Sequence, residues 1–423
     1  MTNHTKTITE TPLRFTPRTK QNGENGTLQR KPFTTLPPLS LYVHIPWCVK
    51  KCPYCDFNSH ENPALNVVSN DELQARYVEA LLSDVEQALP NIWGRSIQTI
   101  FIGGGTPSLF SERAINQLLS GLRARLNIAP NAEITLEANP ATFERAKFKG
   151  FYQAGITRLS IGVQSFNDDF LQALGRVHSG NEARSAIETA AQTFDTFNLD
   201  LMFALPHQTQ AQVLADLETA LSFSPPHLSY YHLTLEPNTV FAKYPPQGLP
   251  SDDEGALFYD AIRERLAAQG FEHYEISAWA KPKHQSRHNL NYWQFGDYLG
   301  IGAGAHSKLS NAGQTPQDHA SIVRQTRTYN PMRYIEDVAN CAHIKTNQNI
   351  INEDLPLEFL MNILRLKDGV PASFFEERTG LSPLVLQSFI DKASARGWLE
   401  PGIGRIQTSE LGRLFLNDVL LLI

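Results

Sequence analysis

Cysteine is scarce here: four in 423 residues. Such a count fits a reducing compartment and not a scaffold stapled by disulfides. Also missing is any apolar run long enough to span a bilayer. There is no excess of basic residues, with 37 Lys and Arg against 43 Asp and Glu and a net charge of -6. An overall nucleic-acid footprint is therefore not expected. The opening stretch, MTNHTKTITETPLRFTPRTKQ, has neither an apolar core nor a small-residue cleavage pattern, so no secretory signal is expected. These absences point to a cytoplasmic protein without a transmembrane segment, and leave peripheral contact at the inner membrane open.

What cysteine there is stands together. Cys48, Cys52 and Cys55 fall within eight positions of YVHIPWCVKKCPYCDF (42–57), spaced C-x3-C-x2-C. Lys50 and Lys51 between the first two mark a turn near the surface. Three thiolates on one short loop suit an iron–sulfur cluster, because soft sulfur selects iron–sulfur or zinc over harder metals. A [4Fe–4S] cluster held by three thiolates leaves one iron open to a small molecule. The zinc alternative needs a fourth ligand, for which His44 or His60 is the candidate. Cys341 has no neighbour of its kind and is not expected to be a ligand.

The rest of the chain is organised by periodicity. Residues 1–36 are polar and read as a flexible tail. Leu39–Ile45 alternates as a strand, and the cysteine loop leaves its end. Helical patterns follow at 71–89, 112–127, 141–153, 179–194, 209–222 and 252–268. Short apolar strands lie between them at 97–102, 133–138, 156–163, 199–203 and 227–233, with a further one at 271–276. Alternation of this kind makes a parallel α/β sheet. A partial (β/α)6 TIM-like barrel over 37–276 and an open sheet are both compatible with it. The barrel is favoured because polar outliers follow so many strands, and barrel strand ends share one mouth. Residues 277–349 lose the pattern and read as an irregular extension. Residues 350–423 read as helices plus a small hairpin, a winged-helix-like domain. Its charges are balanced, so nucleic acid is not the expected partner.

Several groups can carry chemistry. The turn GGGTP (103–107) allows close backbone approach, but it lacks the GK[ST] ending of a phosphate loop. Glu137, Gln164, Arg176 and Asp200 surround the expected mouth. Carboxylates can hold ribose hydroxyls and an arginine can hold a carboxylate bidentately, which suits a nucleoside-containing ligand. In RHNLNYW (287–293), His288 reads from its residues alone as a loop histidine beside packed aromatics. GIGAGAHS (300–307) is a second glycine-rich turn, ending at His306.

CVKKCPYC, FIGGGTPS, LEANP, RLSIGVQSF, LGRVH, DLMFALP, LTLEPNT, HNLNYW and GIGAGAHS together resemble the radical S-adenosylmethionine (SAM) superfamily. Within it the resemblance is to the oxygen-independent coproporphyrinogen III oxidases and the related HemW haem chaperones, over about residues 38–422. It implies a [4Fe–4S] cluster on Cys48, Cys52 and Cys55, with SAM on the open iron. It places SAM at Tyr42, Gly104, Gly105, Thr106, Glu137, Gln164, Arg176 and Asp200. The oxidases carry a further cysteine two positions after the third, where this chain has Phe57, and an ordered N-terminal extension that this polar tail does not resemble. HNxxYW marks the HemW branch and is associated there with haem, which makes His288 a haem candidate. The implied function is haem binding and transfer to haem-requiring respiratory proteins, with a homodimer as a further expectation. Coproporphyrinogen III oxidation, or radical SAM chemistry on another substrate, is the alternative, so enzymatic turnover is left open.

Overall fold

A computed structural model describes residues 28, 30–61, 71–141, 145–312, 320–402 and 404–423. Six parallel strands lie side by side in chain order: β1 (Leu39–Ile45), β2 (Ser96–Gly104), β3 (Asn127–Ala138), β4 (Arg158–Gln164), β5 (Thr196–Phe203) and β6 (His227–His232). The helices between them cover the outside: α1 (Asp71–Ile92), α2 (Glu112–Arg125), α3 (Phe148–Ala154), α4 (Asp168–Ala173), α5 (Gly180–Thr193) and α6 (Gln210–Ser222). Their starts are written locally. Ser111 caps α2 and Ser179 forms a capping box with Glu182 on α5, satisfying backbone donors that a helix start leaves free. Leu41, Val43, Ile100, Ile102, Leu136, Leu159, Ile161 and Leu199 are wholly buried beneath the helices. The sheet curves without closing, since further strands extend both edges, as a partial barrel does.

The residues alternating with that apolar set face the lumen. One ring joins Tyr42, Phe101, Thr135, Arg158 and Thr196 in register. The next joins Glu137, Ser160, Asn198 and His227. Filled barrels stack bulky Val, Ile and Leu in such layers. Polar layers here leave room for a ligand.

The stretch expected to be irregular is largely sheet. After α7 (Asp252–Ala268) come β7 (Glu272–Glu275) and β8 (Ala278–Ala280); β8 adds antiparallel to β6, and β7 antiparallel to β8 at the edge. RHNLNYW is not a loop but the helix α8 (Arg287–Trp293), capped by Ser286. β9 (Asp297–Ile301) then pairs parallel with β1, so the chain returns beside its first strand. β10 (His306–Asn311), β11 (Ser321–Arg327) and β12 (Ile344–Asn349) follow antiparallel, with α9 (Pro331–Ala339) before the last. The sequence hid these strands because SIVRQTR is largely polar and IKTNQN is a polar edge strand; β12 is exposed at all six positions.

Two buried acids fasten this return to the barrel. Asp84 on α1 accepts from Tyr334 Oη (2.7 Å), His343 Nε2 (3.0 Å) and Arg327 Nη2 (3.3 Å). Asp297 pairs with Arg95 (2.9 Å) and Lys308 (3.0 Å). A buried carboxylate needs partners of this kind to offset its lost hydration.

The C-terminal part contains α10 (Leu355–Ile363), α11 (Ser373–Thr379), α12 (Gln387–Ala395), α13 (Glu410–Leu414) and α14 (Leu416–Leu420) around its own apolar core, which includes Phe359, Leu360, Phe375 and Phe389. The last two helices are divided at Phe415. The expected hairpin is reduced to one bridge, Leu399 to Thr408, while Arg405–Ile406 pairs with Val370–Pro371. Most of the expected flexible tail lies outside the described residues. Its end does not behave as a tail: Arg30 donates to the Ala320 carbonyl (3.1 Å) and to Asn352 Oδ1 (2.8 Å), and Phe33 is buried in the C-terminal core.

Candidate cluster and cofactor site

The cysteine loop leaves β1 at the end where α/β strands place their ligands. A cavity of about 520 Å³ opens there, within the usual range for small-molecule sites. Its wall includes Cys48, Cys52 and Cys55 together with Gly104, Gly105, Thr106, Glu137, Gln164, Arg176 and Asp200. Eleven of the expected site residues are Tyr42 and these ten; Tyr42 alone stands behind the wall, its hydroxyl paired with His44 Nδ1 at 3.0 Å. His288 is elsewhere. It is buried beneath Phe101 with Nδ1 paired to Thr99 Oγ1 at 2.8 Å, and its neighbours Ser286 and Asn289 reach the cavity instead.

The three thiols are unbridged. Burial pushes Cys48 up to about 11; the Thr106 hydroxyl, 3.5 Å from its sulfur, pulls the other way, and Cys55 and Cys52 add to the rise. Cys55 is raised by burial as well. Thiols that resist ionisation because they are buried near one another are a donor set that gains from a cationic centre. Among the described residues no three His, Cys, Asp or Glu side chains already stand in metal-binding geometry, yet the cysteines share one wall and fit a cluster in their donor chemistry. The zinc alternative loses its fourth ligands. His44 spends Nε2 on the Asn58 carbonyl (2.9 Å) and Nδ1 on Tyr42, and His60 Nε2 pairs with Asn58 Oδ1 (3.1 Å).

The glycine turn is welded to this loop. Gly104 N–H donates to Glu137 Oε2 (3.0 Å), Gly105 N–H to the Ile45 carbonyl (2.8 Å) and Thr106 N–H to the Trp47 carbonyl (2.8 Å). Gly104 sits at φ 115°, and a Cβ there would stand 2.5 Å from the His44 ring. With its donors spent, the turn has carbonyl oxygen left for a ligand, which matches an ammonium and not a phosphate.

Beside the cysteine loop Arg176 donates to Asn139 Oδ1 (2.6 Å) and the Gly162 carbonyl (2.7 Å), and its Nη1 lies 3.8 Å from Cys52 Sγ. Asn139 in turn donates to Thr106 Oγ1 (2.9 Å). Sequence reasoning quoted LEANP and gave Asn139 no role, although it couples the arginine to the glycine turn. Burial, with Asp200 nearby, pushes Glu137 up to about 8. Asp200 is raised by burial and accepts from Asn198 Nδ2 (2.8 Å) and Ser160 Oγ (3.0 Å). Gln164 has a left-handed φ of 67°, uncommon for a non-glycine residue and frequent at functional sites.

A brace behind the loop was also missed. Asn58 Nδ2 donates to the carbonyls of Ala303 and Tyr329, each at 2.9 Å. Ala303 belongs to the GIGAGAHS turn. Gly304, at φ 80°, makes way for Asn58, since a Cβ would stand 2.2 Å from its amide nitrogen. The glycine spacing was the available signal.

Comparison with known proteins places this geometry. Residues 42–220 match the Radical SAM superfamily and residues 351–415 the HemN C-terminal domain. A protein of Haemophilus influenzae named heme chaperone HemW is 45% identical over 390 residues, 91% of this chain and 97% of its own. The Escherichia coli protein of the same name is 45% identical over 386 residues, covering 91% and 98%. This chain belongs to the HemW family. Bacillus subtilis HemW is 33% identical over 399 residues, covering 90% of this chain and 97% of its own. This chain also shares its fold with the coproporphyrinogen III oxidase HemN of Escherichia coli, with a TM-score of 0.74 and 22% identity over 92% of this chain and 90% of that one. Among the described residues no helix is long and apolar enough to cross a membrane.

Proposed function

We propose that this chain binds haem and passes it to haem-requiring proteins, respiratory ones among them, while keeping a [4Fe–4S] cluster on Cys48, Cys52 and Cys55 with SAM in the adjoining cavity. The observation that carries the reading is identity to heme chaperones along nearly the whole chain. Phe57 supports it. It stands 57% exposed at the mouth of the cavity, where the resemblance assigns the oxidases a cysteine.

When bound, the cluster and SAM supply one-electron cleavage of SAM. The chain's own residues do the holding. Arg176, fixed by Asn139 and Gly162, faces a carboxylate; the spent donors of the Gly104–Thr106 turn leave carbonyl oxygen for an amino group; Asp200 and Glu137 take ribose hydroxyls. Glu137, at about 8, holds a proton at neutral pH and can donate as well as accept. The retained polar lumen favours a second reading, radical SAM chemistry on a small substrate.

For haem, His288 offers a neutral ring. Burial pushes it down to about 3, and its Nε2 has no hydrogen-bond partner. In the tautomer that donates Nδ1–H to Thr99 Oγ1, the Nε2 lone pair is free and suits iron. Ligation requires α8 to swing away from Thr99 and Phe101. His306, more exposed, is the competing ligand.

The test is anaerobic reconstitution followed by parallel haem titration and coproporphyrinogen III turnover. Saturable Soret shifts near one haem per chain, lost in His288→Ala and kept in His306→Ala, are expected. Conversion of coproporphyrinogen with release of carbon dioxide, and no saturable haem binding, would replace this reading with the oxidase.

A further inference from the structure

The lumen does not stop at the level of Glu137 and Asp200. It continues to the level of Arg158, the first residue of β4, where Arg158, Thr135, Ser286 and Asn289 line its floor. This floor contains an unbalanced charge. Arg158 is 2% exposed. Its Nη1 donates to Thr196 Oγ1 (3.1 Å) and to the His284 carbonyl (3.3 Å), while Nη2 has no partner. Among the described residues no carboxylate lies within ion-pair distance of it. Thr135, its register neighbour on β3, also lines the cavity, and its buried Oγ1 is likewise without a partner.

The surroundings make this orphaning specific. One layer up, the polar side chains satisfy one another. Asn198 donates to Ser160 Oγ and Asp200 Oδ1, both at 2.8 Å, and its Oδ1 is met by His227 Nδ1 (2.6 Å) and Ser229 Oγ (3.1 Å). His227 Nε2 pairs with Tyr274 Oη at 2.8 Å. The network therefore ends complete beside a guanidinium and a hydroxyl that stay open. A buried cation without a counter-charge costs several kcal/mol, and a buried polar network that is otherwise satisfied makes the exception informative.

We propose that the floor of the lumen is an anion subsite for a small carboxylate-bearing molecule, held by Arg158 Nη2 and the Thr135 hydroxyl. It is distinct from the carboxylate position at Arg176. Arg176 is bonded to the Gly162 carbonyl, four residues above Arg158 on β4, or about 13 Å at the rise of a parallel strand. With Nη1 engaged, Nη2 and the Thr135 hydroxyl offer one donor to each oxygen of a carboxylate. The walls above are polar, with Ser160 and Asn198 in the next layer. A bulky apolar body does not match them. Asn289 belongs to the HNLNYW helix, so occupancy of the floor is placed to bear on α8 directly.

The experiment uses the full chain, cluster-reconstituted and saturated with SAM, with succinate, glutarate and succinamide as probes. Thermal midpoint and isothermal calorimetry are read in parallel. The two dicarboxylates are expected to raise the midpoint saturably and the uncharged diamide to leave it unmoved. Arg158→Gln should weaken dicarboxylate binding by more than about 10-fold, as truncating a buried charge partner does, and Arg158→Lys should restore part of it. Thr135→Val, nearly the same volume, should weaken binding by a few-fold while the fold melts as before; it keeps the test decisive if Arg158→Gln fails to fold. No saturable response to either dicarboxylate, equal binding of the diamide, or undiminished binding in Thr135→Val together with Arg158→Lys overturns the proposal.

Discussion

Asn58 holds Ala303 across 245 residues of chain: its amide nitrogen donates to that carbonyl at 2.9 Å and to the Tyr329 carbonyl at the same distance. The side chain stands three residues beyond Cys55, so the cysteine loop is fixed from behind by the returning half of the protein. Asn58→Ala should cost about 1–3 kcal/mol through the carbonyls left unpaired and lower the iron retained per chain after reconstitution. Gly304→Ala should do the same from the other side, because it adds a Cβ at φ 80° against that amide. Urea melts and iron counts check both. Iron retention equal to the parent in both variants removes the brace.

Replacing Cys48, Cys52 or Cys55 by Ser should each abolish the visible charge-transfer absorption of the reconstituted protein, whereas Cys341→Ser should leave it intact. Cys341 is exposed on the far arm, after α9. Loss of absorption in the Cys341 variant alone would contradict the assigned ligand set.

Glu137 should give the SAM-free protein a recognisable pH profile. Its ordinary value is 4.5 and burial raises it to about 8. The folded state therefore binds the proton more tightly than the unfolded chain. The stability due to that proton is full below about 4.5 and is lost as the pH rises through about 8. Glu137→Gln cannot ionise and should flatten the fall, ending more stable than the parent at alkaline pH by on the order of 1 kcal/mol or more. Denaturation midpoints across that window decide; parallel profiles for the two proteins would refute it.

Asp84 predicts the opposite slope. Arg327, His343 and Tyr334 hold its carboxyl below the usual range even though burial opposes them. Its contribution is present above the unfolded value and lost on acidification. Asp84→Asn strands Arg327 and should cost about 3–5 kcal/mol at neutral pH, with α1 and β11 losing hydrogen-exchange protection together. A loss confined to one of the two elements would separate them.

The sequence was most readable where one period ruled. The strands β1 to β6 and their helices follow from apolar alternation, and the cysteine spacing and polar outliers marked one mouth of the barrel. Residues 277–349 were less readable because an edge strand held by its backbone needs no apolar run: IKTNQN, exposed throughout, forms β12 by pairing with β11 alone. Asn139, Arg158 and Asn198 escaped notice for another reason. Their roles depend on register between neighbouring strands, which periodicity along one strand does not contain. His288 was legible as an aromatic-flanked histidine, but its burial under Phe101 arises from α8, whose seven residues are too few to show a helical stripe.

The pairing of β1 with β9 and the reach of Asn58 to Tyr329 also set an order of events during synthesis. The cysteines leave the ribosome early, yet the Tyr329 carbonyl that anchors their loop lies 271 residues beyond Asn58. At ordinary elongation rates that interval is about 14–54 s. Throughout it the thiols belong to a nascent chain that has the glycine turn but not its brace, and a message truncated before codon 303 yields a chain that has every ligand and neither of the carbonyls Asn58 reaches for.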